Sequence, residues 1–381
     1  MAMASALKQS KRFLSLDVFR GLTICLMIVV NTPGSGAKFY TAFTHASWFG
    51  FTLADLVFPS FLFAMGNAMS FSMPRFKNGT SAAFWKKIIK RSLIIFLIGY
   101  LMYWFPFFEY GTDGGLQLKL ISETRIMGVL QRIALCYFFT AILVHYFKTK
   151  WILIISGGIL MVYWALLYLL GTNGHELEMA TNGITWLDQT IFGESHMYKK
   201  DRISFDPEGL LSTLPAVVNV VGGYLAGVFI IKSGKSYKTI AQLLIAGVVL
   251  YALALIWEGS FPLSKKLWTS SFVLYTVGID LCIIALLIFS IELKQLKTGT
   301  YFFTVFGKNP LFIYLFSELF FVILGLIKTP SGLSVFDWVS QEVFQKLASG
   351  SFGALLTAFV FMLLCWFLGY ILDKKSIYIK I

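Results

Sequence analysis

Charge is scarce in this chain. Only 13% of its 381 residues are Asp, Glu, Lys or Arg, against about a quarter in soluble domains. Acids are scarcer than bases, 19 against 32, for a net charge of +13. The four cysteines, Cys25, Cys136, Cys282 and Cys365, each stand alone in an apolar run. That excludes a disulfide scaffold, and the four read as buried small side chains. There is no phosphate-binding Gly-x-x-x-x-Gly-Lys-Ser/Thr loop and no Gly-x-Gly-x-x-Gly after a strand, so P-loop and Rossmann chemistry are excluded. Without a His-x-x-x-His pair or a Cys/His cluster, no metal is expected. No short internal period points to a repeat architecture. What is abundant is apolar: 57% of residues are hydrophobic, and mean hydropathy is +0.75. Such a chain cannot cover its surface with polar groups, so a soluble enzyme and a disordered tail are both excluded. Its solvent is the lipid bilayer, and its positive charge reads as membrane orientation, with no nucleic-acid partner.

A hydrocarbon core of about 30 Å takes roughly 20 apolar residues as helix. Runs of that length occur at about 17–33, 48–72, 88–106, 125–147, 151–170, 209–231, 239–257, 269–290, 309–327 and 350–371. The pattern predicts an all-α integral membrane protein, a polytopic bundle of about ten transmembrane helices forming one domain over 1–381. The first run is too long and too polar inside for a cleaved signal peptide. Gly307, Asn309 and Pro310 break the entrance to the ninth, where a re-entrant turn is the alternative.

Alternate loops differ in charge. One side collects Lys8, Lys11, Arg12, Arg20, Arg75, Lys77, Lys86, Lys87, Lys90, Arg91, Lys148 and Lys150. Lys232, Lys235, Lys238, Lys294, Lys297, Lys308, Lys374, Lys375 and Lys380 join them, about two-thirds of all basic residues. Glu176, Glu178, Asp188, Glu194, Asp201, Asp206 and Glu208 lie opposite. The positive-inside rule predicts cytoplasmic termini, in the inner membrane of a bacterium, with the long 171–208 loop facing the periplasm or exterior. That loop carries Trp186, Phe192, His196, Tyr198 and Phe205, and is expected to be a solvated cap or part of a polar-ligand site.

Polar groups inside a membrane are costly, and those present are functional candidates. Asp17, Arg20 and Asn31 mark the first span, Asp55 the second, Arg125, Gln131 and Arg132 the fourth, Asp280 the eighth and Glu318 the ninth. His45, just before or within the first turn of the second span, can exchange a proton near neutral pH. It suits a general base beside an oxyanion, or else caps the span end. Asn31 ends the preceding span at the same face, where it could orient His45, hold an acyl oxygen or cap the loop. Asp55 is not expected to reach His45, because ten residues of helix would separate them by about 15 Å. Arg125 and Arg132 are expected on one helix face, either paired with Asp55, Asp280 or Glu318 or forming a phosphate or carboxylate clamp. Lys86, Lys87, Lys90 and Arg91 suit an orientation signal, anionic lipid or an entering nucleotide.

The blocks Ser15-Leu-Asp17-Val-Phe19-Arg20-Gly21 and His45-Ala-Ser-Trp48-Phe-Gly50-Phe-Thr-Leu-Ala-Asp55-Leu-Val-Phe-Pro59, with Asn31 between them, resemble the heparan-α-glucosaminide N-acetyltransferase family. Arg125-Ile-Met-Gly128-Val-Leu-Gln131-Arg132, Asp206-Pro-Glu208-Gly209 and Lys266-Leu-Trp268 agree. The resemblance runs from about residue 12 to the C-terminus. It implies a transmembrane acyltransferase that takes acetyl-CoA from the cytoplasm and acetylates a glucosamine-type amine, on an amino-sugar or glycan acceptor, on the far side. It also implies that His45 is catalytic, with Asn31 at the active centre. The lysosomal enzyme's N-terminal lumenal domain and extra span are expected to be absent. Asp55, Arg125, Arg132 and Glu318 would support substrate or structure, and Arg20, Lys86, Lys87, Lys90 and Arg91 would face CoA. The expected route is direct transfer in a ternary complex with His45 as base, the alternative being an acetyl-histidine relay. A homodimer is a further expectation. The rival class is an amino-sugar or glycan-fragment transporter, which intramembrane Asp55, Asp280 and Glu318 and the broken ninth span would also suit.

Overall fold

The computed structural model describes residues 13–76, 80–110, 115–199 and 203–379. Lys8, Lys11, Arg12, Lys77, Asp201 and Lys380, counted above in the charge pattern, lie outside them. The chain is an all-α integral membrane protein. Eight helices are long and apolar enough to cross a bilayer, or nine when one bent pair is taken as a single span, among the described residues.

In chain order the principal helices are α1 (Leu14–Asn31), α2 (Leu53–Ser72), α3 (Ser81–Trp104), α4 (Val129–Tyr146), α5 (Thr149–Leu170) and α6 (Gly183–Phe192). They continue with α7 (Thr213–Ser233), α8 (Tyr237–Glu258), α9 (Ser270–Leu287), α10 (Thr300–Lys308), α11 (Pro310–Leu326) and α12 (Ser351–Lys374). Each of the ten apolar runs contains helix. The third, α3, falls short of the apolar test because its first half carries Lys86, Lys87, Lys90 and Arg91. The ninth is the bent pair: α10 and α11 meet at 84°. Asn309 breaks the helix at φ −128°, ψ 53°, and Pro310 starts the next at its first position, where its missing N–H costs nothing.

Helices approach closely where glycine removes the side chain. A Cβ on Gly66 of α2 would overlap the Val220 carbonyl of α7, and one on Gly223 of α7 would overlap the Phe63 carbonyl. This small-residue seam brings α2 and α7 into one of the most extensive contacts of the bundle. Cys25, Cys136 and Cys365 are buried, while Cys282 is half-buried; all four are free.

The described residues of the 171–208 segment form a packed cap. Asn182 caps α6 by accepting from the Ile184 and Thr185 N–H groups at 3.0 Å. Ile184 and Phe205 then join Tyr163, Leu167, Leu211, Phe261 and Leu267 in a second apolar cluster, separate from the main core. A short hairpin, Phe108–Tyr110 with Leu116–Leu118, closes the α3–α4 connection.

Candidate active site

The site is set by where α2 begins. Thr52-Leu-Ala-Asp55 is a capping box, with Thr52 as N-cap and Asp55 as the third helical residue. Asp55 Oδ2 accepts from the Thr52 N–H at 3.0 Å and from the Ala46 N–H at 3.1 Å, while the Thr52 hydroxyl donates to the Thr44 carbonyl at 2.8 Å. Its other oxygen lies 2.8 Å from His45 Nδ1. Asp55 is fully buried. A carboxylate accepts only, so Nδ1 carries the proton and Nε2 presents its lone pair. The expected 15 Å separation of His45 from Asp55 is therefore overturned. The helix starts at Leu53 rather than 48, and residues 44–52 fold back over its first turn.

Lys265 Nζ lies against the ring, 3.1 Å from Nε2 and 3.3 Å from Nδ1. Lys265 belongs to the α8–α9 connection. His45, Lys265, Asn31, Glu208 and Tyr314 share the lining of a cavity of about 50 Å³. The His45 side chain keeps 41% of its surface accessible, so a second molecule can reach the ring. Desolvation by the surrounding protein and then the Lys265 ammonium lower the His45 pKa below its ordinary value, against the Asp55 hydrogen bond. Burial likewise lowers Lys265, with Glu208 opposing. Glu208, despite its burial, is held below the usual range by Arg125, Arg132 and Lys265.

Asn31 and His45 do meet at one cavity, but the Asn31 amide donates to Glu318 Oε1 at 3.0 Å and not to His45. Neither arginine pairs as expected. Helix α4 starts at Val129, which leaves Arg125 in the preceding loop. There it grips Asp206 through two bonds of 2.9 and 2.5 Å and Glu208 at 2.6 Å. Its guanidinium sits between the Tyr103 and Tyr198 rings, 4.9 and 4.8 Å from their centroids. Arg132 is fully buried, bonded to Ser212 and the Gly209 carbonyl and stacked over Trp268. Both arginines thus hold the 206–212 turn that brings Glu208 to the cavity. Asp280 instead accepts from Ser60 at 2.5 Å.

At the opposite end, Arg20, Arg75, Lys87, Arg91 and Lys308 line a cavity of about 460 Å³. A middle cavity of about 110 Å³ shares Arg20, Arg91, Ile95, Pro310 and Leu311 with it. The middle cavity also shares Met27, Val129 and Tyr314 with the His45 cavity. A series of spaces therefore leads from a basic mouth through the bundle to the histidine. Lys86 and Lys90 are exposed and line none of the three.

Sequence reasoning missed Lys265, Tyr314 and Glu208 as site residues. The Thr-x-x-Asp pattern was the available signal for the Asp55 contact. Among the described residues no group of three or more His, Cys, Asp and Glu side chains could hold a metal ion.

The family model described as heparan-alpha-glucosaminide N-acetyltransferase, catalytic, matches residues 12–202. Heparan-alpha-glucosaminide N-acetyltransferase of Homo sapiens is 29% identical over 364 residues, covering 81% of this chain and 53% of that protein. The protein of the same name from Mus musculus is 27% identical over 367 residues, covering 81% and 54%. The chain spans about half the length of the curated relatives it matches. It belongs to the heparan-alpha-glucosaminide N-acetyltransferase catalytic family.

Proposed function

We propose that this member of the family is a transmembrane N-acetyltransferase that moves the acetyl group of acetyl-CoA to the amine of a glucosamine-type acceptor. The observation that carries the reading is the series of cavities ending at a histidine whose tautomer is fixed. CoA phosphates suit the basic mouth at Arg20, Arg75, Lys87, Arg91 and Lys308, where guanidinium groups can grip oxyanions. The pantetheine arm, roughly half the ~30 Å hydrocarbon core in length, then runs along the middle cavity toward His45. The acceptor enters from the other face, at the accessible side of the ring.

A protonated amine cannot attack a thioester, so the reaction needs a base within hydrogen-bond reach. His45 supplies it: Asp55 keeps the Nδ1 proton in place, leaving Nε2 to accept. Asn31, Glu208 and Lys265 surround the same space. The CoA mouth faces the cytoplasm and the His45 end the exterior or periplasm, in keeping with the charge bias. The three neighbouring cavities would let both substrates meet at His45, which favours direct transfer over an acetyl-enzyme. The 84° break between α10 and α11 is the feature that would suit an amino-sugar transporter instead.

Incubation of the purified protein in nanodiscs with radiolabelled acetyl-CoA and glucosamine should release CoA thiol and labelled N-acetylglucosamine. Acetyl-CoA alone should leave no label on the denatured protein. Label that disappears in His45→Ala, with ping-pong kinetics, would establish the acetyl-histidine relay in place of direct transfer. Uptake of glucosamine without thiol release would favour the transporter.

A further inference from the structure

The base that would receive the acceptor's proton has an ammonium against its ring. Lys265 Nζ lies 3.1 Å from His45 Nε2 and 3.3 Å from Nδ1, while Nδ1 donates to Asp55 at 2.8 Å. Desolvation and this ammonium keep the ring neutral, against Asp55 and Glu208. A free base at rest would not need such a neighbour. The ammonium also sits in the space lined by His45, Asn31 and Glu208, where an acyl oxygen would gather charge during transfer. Asn31 holds one of its two amide N–H groups on Glu318 at 3.0 Å. Lys265 rests against the ring that the acceptor must approach.

We infer that Lys265 is a second catalytic residue of the proposed transfer, turning an N–H from the His45 ring to the thioester carbonyl oxygen and stabilising the oxyanion there. The inference rests on the acetyltransferase reading above. The neutral amine nitrogen attacks the carbonyl carbon, a C–N bond forms, and the carbonyl π pair moves onto oxygen against the Lys265 N–H. Nε2 takes a proton from the amine. The oxygen pair then re-forms the C=O bond, the C–S bond breaks, and the sulfur receives the proton held by His45. Amide and free thiol leave, and both side chains return to their starting states. Glu208, across the cavity, supplies the negative charge that lets a half-buried lysine stay protonated.

The test uses the full-length protein in nanodiscs and compares Lys265→Met and Lys265→Arg with wild type. Loss of an oxyanion donor lowers kcat by about 10²–10³-fold, and that is expected for Lys265→Met, with CoA affinity within about threefold of wild type. Lys265→Arg keeps charge and donor, and should recover at least about tenfold of the loss. Nitrogen-15 NMR of labelled histidine, with His45→Ala to assign the signal, supplies a readout independent of turnover. The His45 pKa should rise in Lys265→Met, since Asp55 and Glu208 remain and the opposing ammonium is gone. If Lys265→Met does not fold, Lys265→Gln carries the same test and should lose at least tenfold in kcat. An active wild type whose folded Met or Gln variant keeps kcat, or whose His45 titration is unmoved, overturns this inference alone. A wild type that transfers no acetyl group overturns the function and this inference with it.

Discussion

Replacing Asp55 by Asn changes one terminal atom from acceptor to donor in a fully buried position. One side of that group receives two backbone donors: the Thr52 N–H at 3.0 Å and the Ala46 N–H at 3.1 Å. The amide oxygen must take this side, which leaves the NH₂ facing His45 Nδ1 at about the present 2.8 Å. Two donors cannot share that contact, so the ring moves its proton to Nε2. The base is then in the wrong tautomer, with an N–H aimed at the acceptor and at Lys265. In serine-protease triads the same tautomer error costs about 10⁴-fold in kcat, and a loss of about 10³–10⁴-fold is expected here. The exchange of charged for neutral hydrogen bonds should cost the fold only about 1–2 kcal/mol, because the cap survives. Thiol release from acetyl-CoA in nanodiscs measures kcat, and melting and CoA binding confirm a folded protein. A kcat within tenfold of wild type would refute the reasoning. So would a nitrogen-15 spectrum that still shows Nδ1–H in the variant.

The basic mouth gives a split prediction: Lys87→Ala and Arg91→Ala should each weaken CoA binding by about 10–100-fold, the scale of a hydrogen bond to a charged group. Lys86→Ala and Lys90→Ala should change it less than about threefold at physiological salt, and equal losses at all four positions would mean a diffuse charge effect and no site. In the cap, burial pushes the Asp188 carboxyl up to about 7, against its bond from the Leu210 N–H at 3.0 Å. A carboxyl raised in the folded state contributes stability that is full below its unfolded pKa and is lost as pH rises through 7. Between pH 4 and pH 8 wild type should therefore lose roughly 2–4 kcal/mol more than Asp188→Asn, read from denaturation of the cap-bearing bundle; parallel pH profiles would show that Asp188 is ionised throughout.

Much of the bundle was legible because apolar length is a strong signal. Ten runs gave helices in the right order, and the Gly307-Lys308-Asn309-Pro310 stretch located the bend. Helix starts were harder, since apolar loop residues such as Trp48, Phe49 and Phe51 extend a hydropathy run beyond the helix. That extension placed Asp55 well inside the span, when its capping box puts it in the first turn beside His45. Arg125 was misread for the same reason, its loop having been counted as helix. Its true partners, Asp206 and Glu208, are about 80 residues away and come together only when the cap folds. Asn31 and His45 were brought to one cavity as expected, because a short connection joins two span ends at one face. Lys265 lies 220 residues from His45, a separation no local pattern can bridge.

The central claim is that His45, held by Asp55 at the end of a passage from a basic mouth, serves as the base for acetyl transfer. The most direct test is turnover of acetyl-CoA and glucosamine by wild type and His45→Ala in nanodiscs, with CoA binding measured on the same samples. Wild type should form N-acetylglucosamine, and His45→Ala should lose at least about a hundredfold in turnover with CoA affinity unchanged. Near-normal turnover by His45→Ala, or a wild type that binds CoA and transfers nothing, would contradict it.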